Sequence, residues 1–292
     1  MTGWLLGDVV GELEALYPPA SAAAWDRVGL VTGDLDQPVR RVLFALDPTL
    51  AVIDEAAAWG ADLLVTHHPL LLRGVHSVAT TSAKGASVSR LVVADIALYV
   101  AHTNADVSDP GVSGVLADAL GLVEQRALAQ LEGYAAGRVG QLPAPESLAQ
   151  FADRLCRVLP PAVGGIRVSG DPDGQVRTVA VLGGSGDDQF DAVRASGADV
   201  YVTADLRHHP VLEAREEARG GRPYLVDAGH WATESLWLED ARRRLLDALG
   251  ADVERRPVRV EAKVSALRTE PWSFVVGANR AGQARPASGG AS

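Results

Sequence analysis

Cysteine is almost absent. With Cys156 alone in 292 residues, no intrachain disulfide and no cysteine-rich zinc site can form, and the chain needs no oxidising compartment. Positive charge is scarce as well: 27 Lys and Arg against 37 Asp and Glu leave a formal net charge of −10. Nucleic-acid binding calls for basic stripes, whereas the clusters Arg242-Arg243-Arg244 and Arg255-Arg256 are short and flanked by acids. A nucleic-acid partner is therefore not expected. A small phosphorylated substrate remains compatible with this balance, because a bound metal supplies positive charge locally. Long apolar runs are missing too. A membrane helix takes about 20 apolar residues, and the best stretch, residues 91–101, is short and contains Asp95. The first residues lack a basic segment, and Asp8, Glu12 and Glu14 interrupt their apolar positions, so neither a signal peptide nor a membrane partner is expected. The cytoplasm is the expected location.

What is present is ample core material, 47% hydrophobic residues, arranged in alternating strand and helix patterns. Leu5, Val9, Leu13 and Leu16 mark residues 3–17 as an amphipathic helix that Pro18-Pro19 stops. RVLFAL (41–46), ADLLVT (61–66) and ALYVA (97–101) read as buried strands, with helices over 50–59 and 87–95 between them. This order predicts βαβ units and a largely parallel sheet. The pattern then recurs: residues 39–66 align without a gap on 176–203, with identities at ten of 28 positions. Chance similarity between two Ala-, Val- and Gly-rich units is the alternative to duplication. The reading adopted is an α/β chain of two related lobes with mostly parallel sheets flanked by helices, a first lobe over 1–124 and a second over 125–276, with a metal site in the cleft between them. Part of the C-terminal segment is allowed to pack back on the first lobe. A helix is expected around 146–159, and 277–292, rich in Gly, Ala and Ser, reads as a disordered tail.

Six of the seven histidines sit in compact polar motifs. His67-His68 directly follows a predicted strand, where ligands collect in open α/β sheets. On the turn after the strand the two rings can face one crevice and serve different metals; a surface pair or a satisfied core histidine is the plainer alternative. His102 and Asp106 follow the next strand, and His230 and Glu234 follow its counterpart in the second half, each a histidine with a carboxylate four residues on. On a helix that spacing places both on one face, and imidazole with carboxylate suits zinc, iron or manganese. Each pair alone also fits a helix-surface contact or a cap. Together they offer up to four imidazoles and two carboxylates, more than one tetrahedral ion uses, which predicts two divalent ions with a bridging carboxylate. Asp205, His208 and His209 form a second His-His motif, read either as lining the same cleft, with Asp205 or His209 moving protons, or as a solvent-facing cluster at a helix start. Gly183-Gly184-Ser185-Gly186 reads as a tight turn or a weak anion loop. Trp25-Asp26 reads mainly as a structural turn, with orientation of a ligand as a second possibility for Asp26.

These motifs, WDRVGL (25–30), ALDPT (45–49), DLLVTHHPLL (62–71), AHTNAD (101–106), GGSG (183–186), VTADLRHHPVLEA (202–214) and DAGHWATE (227–234), resemble the Nif-three-like family of dinuclear-metal-centre proteins, which carry the name GTP cyclohydrolase 1 type 2 homologue. They span most of the chain in the family's order. Arg27 stands where the family pattern has Asn, and Ala204 where it has Gly; the metal positions are intact. The chain looks too short for the inserted domain of some members. The resemblance implies two metal ions on His67, His68, Asp106, His230 and Glu234, with His102 beside them, and a ring-shaped homohexamer whose sites face an internal cavity. The function expected is that of a metal-dependent hydrolase acting on a small phosphorylated or purine nucleotide substrate. The alternative is a non-catalytic metal-binding ring acting as adaptor or metal store.

Overall fold

A computed structural model describes residues 3–251 and 258–277. The arginine pair at 255–256 and the expected disordered tail from 278 onward lie outside the described residues. In the first part of the chain the strands are β1 (Trp4–Leu5), β2 (Gly29–Thr32), β3 (Pro38–Val39), β4 (Arg41–Ala45), β5 (Leu63–Thr66) and β6 (Ala97–Val100). The helices among them are α1 (Leu6–Leu16), α2 (Leu50–Trp59), α3 (Ala83–Val93), α4 (Thr103–Asp106) and α5 (Val112–Ala119). Then follow β7 (Val123–Leu131), β8 (Tyr134–Ser147), α6 (Leu148–Val158), β9 (Arg167–Ser169), β10 (Gln175–Ser185), α7 (Phe190–Ser196), β11 (Val200–Ala204), α8 (His208–Glu217), β12 (Tyr224–Asp227), α9 (His230–Glu234), α10 (Leu236–Gly250) and β13 (Glu261–Val264).

Two principal sheets result. The first has the order β13-β4-β5-β6-β2, with β13, β4, β5 and β6 parallel and β2 antiparallel at the edge. The second has the order β7-β8-β10-β11-β12-β9, with a parallel centre of β10, β11 and β12. The central strands β5, β6, β11 and β12 are buried along their whole length and mostly apolar because helices cover both faces. Alternate residues of the first sheet divide accordingly. Phe44, Leu63, Val65 and Tyr99 pack with Leu6, Leu13, Trp237 and Leu245 from α1 and α10. Leu43, Leu64 and Leu98 pack with Val52, Ile53 and Leu91 from α2 and α3. Thus α10 and β13, late in the sequence, return to the first sheet. The expected helix over 3–17 is shorter at its start, because Trp4 and Leu5 pair as β1 with β3.

The two aligned segments make matching local structures. Val42 pairs with Leu63 in β4–β5, and their aligned counterparts Val179 and Val200 pair in β10–β11. α2 ends at Gly60 and α7 at the aligned Gly197, both in the left-handed conformation that glycine adopts without a Cβ penalty. Asp62 Oδ2 accepts from the backbone amides of Arg40 and Arg41 at 2.7 and 2.8 Å; the aligned Asp199 Oδ2 accepts from Arg177 and Thr178 at 2.8 and 2.9 Å. Each carboxylate locks the start of one strand to the loop entering the next. The region 124–175, glycine-rich and hard to read from sequence, is mostly the long hairpin β7–β8 and α6, with a capping box at Ser147 and Gln150.

Asp199 is buried and also pairs with Arg222, whereas Asp62 is half-buried. Asp199→Ala is expected to lower the unfolding free energy by about 2–3 kcal/mol and Asp62→Ala by about 1 kcal/mol, read from urea midpoints at unchanged m-values.

Candidate metal centre

The histidine motifs lie where strands end. His67 and His68 follow β5, their amides still bonded to Ala45 and Leu46 alongside β4. His102 caps α4 after β6. His230 opens α9 after β12, and Gly229, at φ +86°, makes the sharp entry. One turn of α9 brings Glu234 to the same side as His230.

Every one of the four imidazoles is held through Nδ1. His67 Nδ1 lies 2.9 Å from the carbonyl oxygen of Ala101, an atom that only accepts. His68 Nδ1 lies 2.7 Å from Asp47 Oδ1, His102 Nδ1 3.0 Å from Asp26 Oδ1, and His230 Nδ1 2.7 Å from Asp205 Oδ2. With the proton on Nδ1 donated outward, each Nε2 lone pair points into the site. This is the arrangement by which metal-ligating histidines are oriented and made more basic. The acceptors are fixed in turn: the amide and hydroxyl of Thr103 donate to Asp26 Oδ2 at 3.0 and 2.5 Å, and the Thr269 hydroxyl donates to Asp47.

Inside this frame the donor atoms converge. His68 Nε2 and His230 Nε2 are 3.2 Å apart, and each lies 3.1 Å from Glu234 Oε2. A tetrahedron around an ion with bonds of about 2.0–2.1 Å has edges of about 3.3 Å, so these three atoms already stand at ligand spacing. Glu234 Oε1 and Asp106 Oδ1 each lie 3.7 Å from His67 Nε2. Ring nitrogens of His67, His68 and His102 form a second group within 4.8 Å of one another. His67 Nε2 and Glu234 Oε2 are buried and make no well-oriented hydrogen bond, a costly condition for polar atoms unless something else engages them. The residues therefore fit a metal ion or ions on the donor chemistry, on the spacing and on these two orphaned atoms.

The charge distribution agrees. Burial works against charge on His68 and His230, but Asp47, Asp205 and Glu234 overcome it and raise their pKa values to about 9 and about 10. Burial would raise Glu234, yet the surrounding histidines hold it well below the usual carboxylate range. Asp106 is pushed up by its desolvation, with His67 opposing and Glu234 adding to the rise.

All six residues expected as ligands, His67, His68, His102, Asp106, His230 and Glu234, are thus brought together. Asp205 joins them through His230. His208 and His209 do not: they stand exposed at the start of α8, their rings 5.1 Å apart, and neither lines the cavity over the donors. The extra residues before this motif, with Asp205 at φ +54°, carry it past the strand end onto the surface. Gly183 and Gly184 stand in β10 rather than in a turn, and their amides donate to Ser113 Oγ and Thr233 Oγ1 at 3.2 and 3.1 Å. Gly184, at φ +69°, packs so close to Glu234 that a Cβ there would collide with Oε1. Asp26 orients His102, the second of its two readings. Sequence reasoning misses Asp47 and Thr269; the one available signal is that Asp47 stands just past the end of β4 as the histidines stand past the ends of β5 and β6.

A cavity of about 550 Å³ opens onto the donors, lined by His68, His102, Asp106, His230 and Glu234 and by loops from both sheets.

A family model described as Duf34/NIF3 (NGG1p interacting factor 3) matches residues 5–271. The chain belongs to this family. A GTP cyclohydrolase 1 type 2 homolog of Streptomyces coelicolor is 50% identical over 274 residues, covering 92% of this chain and 93% of the relative. A protein of the same name in Mycobacterium bovis is 33% identical, covering 92% and 97%. Among solved structures, a Bacillus cereus protein related to NIF3 matches with a TM-score of 0.82 at 26% identity, covering 94% of this chain and all of that one. Reduced HcgD from Methanocaldococcus jannaschii matches at 0.70 and 28%, covering 90% and 98%. This NIF3-family chain therefore shares both sequence and architecture across nearly its whole length with those proteins.

Removing the acceptor that aims one imidazole should weaken ion binding without removing a ligand. Asp47→Ala is expected to lower zinc or manganese affinity about 10- to 100-fold, measured by competition with a chromophoric chelator. Protons compete as well. Against burial, Asp47, Asp205 and Glu234 raise the pKa values of His68 and His230, so protons compete with an ion for their Nε2 atoms. Affinity is expected to fall about tenfold per pH unit per displaced proton as pH drops below 9, with proton release visible by calorimetry in buffers of different ionisation enthalpy.

Proposed function

We propose that this chain binds two divalent ions, zinc, iron or manganese, and uses them to hydrolyse a small phosphorylated or purine nucleotide substrate. The observation that carries the reading is the set of four imidazoles, each held at Nδ1 by an acceptor and each aimed inward through Nε2. One ion would take His67, His102 and Asp106; the other would take His68 and His230. Glu234 would serve both, because its Oε1 faces His67 and its Oε2 faces His68 and His230. A pair of such ions supplies Lewis acidity and activates water at neutral pH. Asp205, exposed and bonded to His230 Nδ1, is placed to exchange a proton between that imidazole and solvent. The cavity above the donors supports catalysis over storage, because a store gains nothing from a space of substrate size beside its ions. Assembly as a homohexameric ring belongs to the same proposal. It predicts a particle six times the 30.6 kDa chain by light scattering.

The test is metal content by mass spectrometry on protein purified without a histidine tag. About two equivalents per chain are expected for the wild type and below one for Glu234→Ala. The loaded wild type is then expected to hydrolyse a phosphoester or nucleotide at rates that the variant loses. Metal below one equivalent in the wild type, not restored by added ions, would overturn the ligand assignment.

A further inference from the structure

The rest of the cavity lining differs in chemistry from the metal donors. It carries Trp25, Leu131, Glu132, Asp188 and Gln189, and among the described residues lining the cavity there is neither Lys nor Arg. Trp25 is 57% exposed, so its indole is open to contact at the cavity it lines. Its ring lies 5.9 Å from that of His102, at 79°, one ring-width from the nearest donor imidazole. The segment bearing it is pinned on both sides. Ala23 N–H donates to Thr103 Oγ1 at 3.0 Å, Ala24 N–H to Glu132 Oε2 at 3.1 Å, and Asp26 N–H to the carbonyl of Ala23 at 2.9 Å. The indole is thus a preorganised platform, and binding to it costs little ordering.

From these features we infer that the cavity takes a planar nitrogen heterocycle, stacked on Trp25 with an N–H-bearing edge toward Glu132 and Asp188, and that it accommodates no more than one phosphoryl group. The charge argument sets the second part. Two divalent ions would face the carboxylates of Asp106 and Glu234 and those of Asp26, Asp47 and Asp205 behind the imidazoles, so the site holds no surplus of positive charge beyond what direct coordination of one phosphoryl group uses. Further phosphates would meet Glu132 and Asp188 with no cation to offset them. The first part follows from donor chemistry: Glu132, whose Oε2 already accepts from Ala24 N–H, and Asp188 offer carboxylate oxygens for two N–H groups of one ring edge, which guanine presents through N1–H and N2–H and adenine does not. The inference rests on the proposed reading of the same site, but its binding component needs no turnover.

The experiment is calorimetric titration of the full chain, metal-loaded and metal-stripped, with guanosine, adenosine, GMP, GTP and ribose 5-phosphate. Guanosine is expected to bind both forms and adenosine about tenfold more weakly. GMP is expected to bind the loaded form at least as tightly as GTP, and ribose 5-phosphate to bind the stripped form below detection. Trp25→Ala is expected to weaken guanosine about 10- to 100-fold in both forms, with Trp25→Phe within a few-fold of wild type. Glu132→Gln is expected to erase most of the preference for guanosine over adenosine. GTP binding tenfold tighter than GMP, or guanosine binding untouched by Trp25→Ala, would overturn the inference. If guanosine binds through Trp25 but nothing is hydrolysed, the hydrolase reading fails alone. If a phosphosugar is hydrolysed at a rate that Trp25→Ala leaves unchanged, this inference fails alone.

Discussion

An imidazole is a two-ended group, and the candidate centre depends on settling which end is free. Three carboxylates and one backbone carbonyl take the outer nitrogen of four histidines, and the inner nitrogens converge as a consequence. Those acceptors come from distant parts of the chain: Asp26 from the loop before β2, Asp47 from the end of β4, Ala101 from the end of β6 and Asp205 from the end of β11. Both parallel sheets must therefore be formed, and in contact, for the donors to stand at ligand spacing. The close approach of Gly184 to Glu234 adds a steric condition to this electrostatic one: at that point the wall behind the Glu234 carboxylate is a glycine backbone.

Much of this was legible from the sequence because it follows from periodicity and local spacing. The buried strands at β4, β5 and β6, helix α2, and the i,i+4 pair of His230 and Glu234 are short-range features. So was the parallel between the two βαβ units, whose aligned residues make the same strand register and the same carboxylate-to-amide bonds. The hairpin β7–β8 is not legible, since its glycines interrupt any strand periodicity. Gly137 and Gly140 are instead strand positions where neighbouring strands leave no room for a side chain. The pairing of Asp47 with His68, 21 residues apart, and of Thr269 with Asp47, 222 residues apart, leaves no pattern in one sequence. The second His-His-Pro motif shows the opposite hazard. Its resemblance to the first is real in letters, but a few extra residues after β11 place it on the surface.

The two ends of the cavity divide the labour of recognition. The donor end is built from groups that are buried, crowded and mutually charged, so small displacements there carry large electrostatic consequences. The Trp25 end is apolar and acidic, fastened by hydrogen bonds between the loop before β2 and the tip of the β7–β8 hairpin. The elements that reach over the cavity are therefore connections, while the ion donors stand on strand ends. That is the usual arrangement in α/β proteins, where a rigid sheet aims the chemistry and loops choose the ligand.

The path of the chain also has a bearing on how the protein comes into being. β13 inserts beside β4, at the edge of a sheet whose other strands all lie within the first hundred residues, and Thr269 then bonds to Asp47. A nascent chain leaving the ribosome would expose the flank of β4 and an unbraced Asp47 until residues 261–269 had been synthesised. His230 and Glu234 emerge shortly before that segment. The centre is thereby assembled only after two distant stretches of the chain have been made, and a chain cut before His230 would hold only His67, His68, His102 and Asp106.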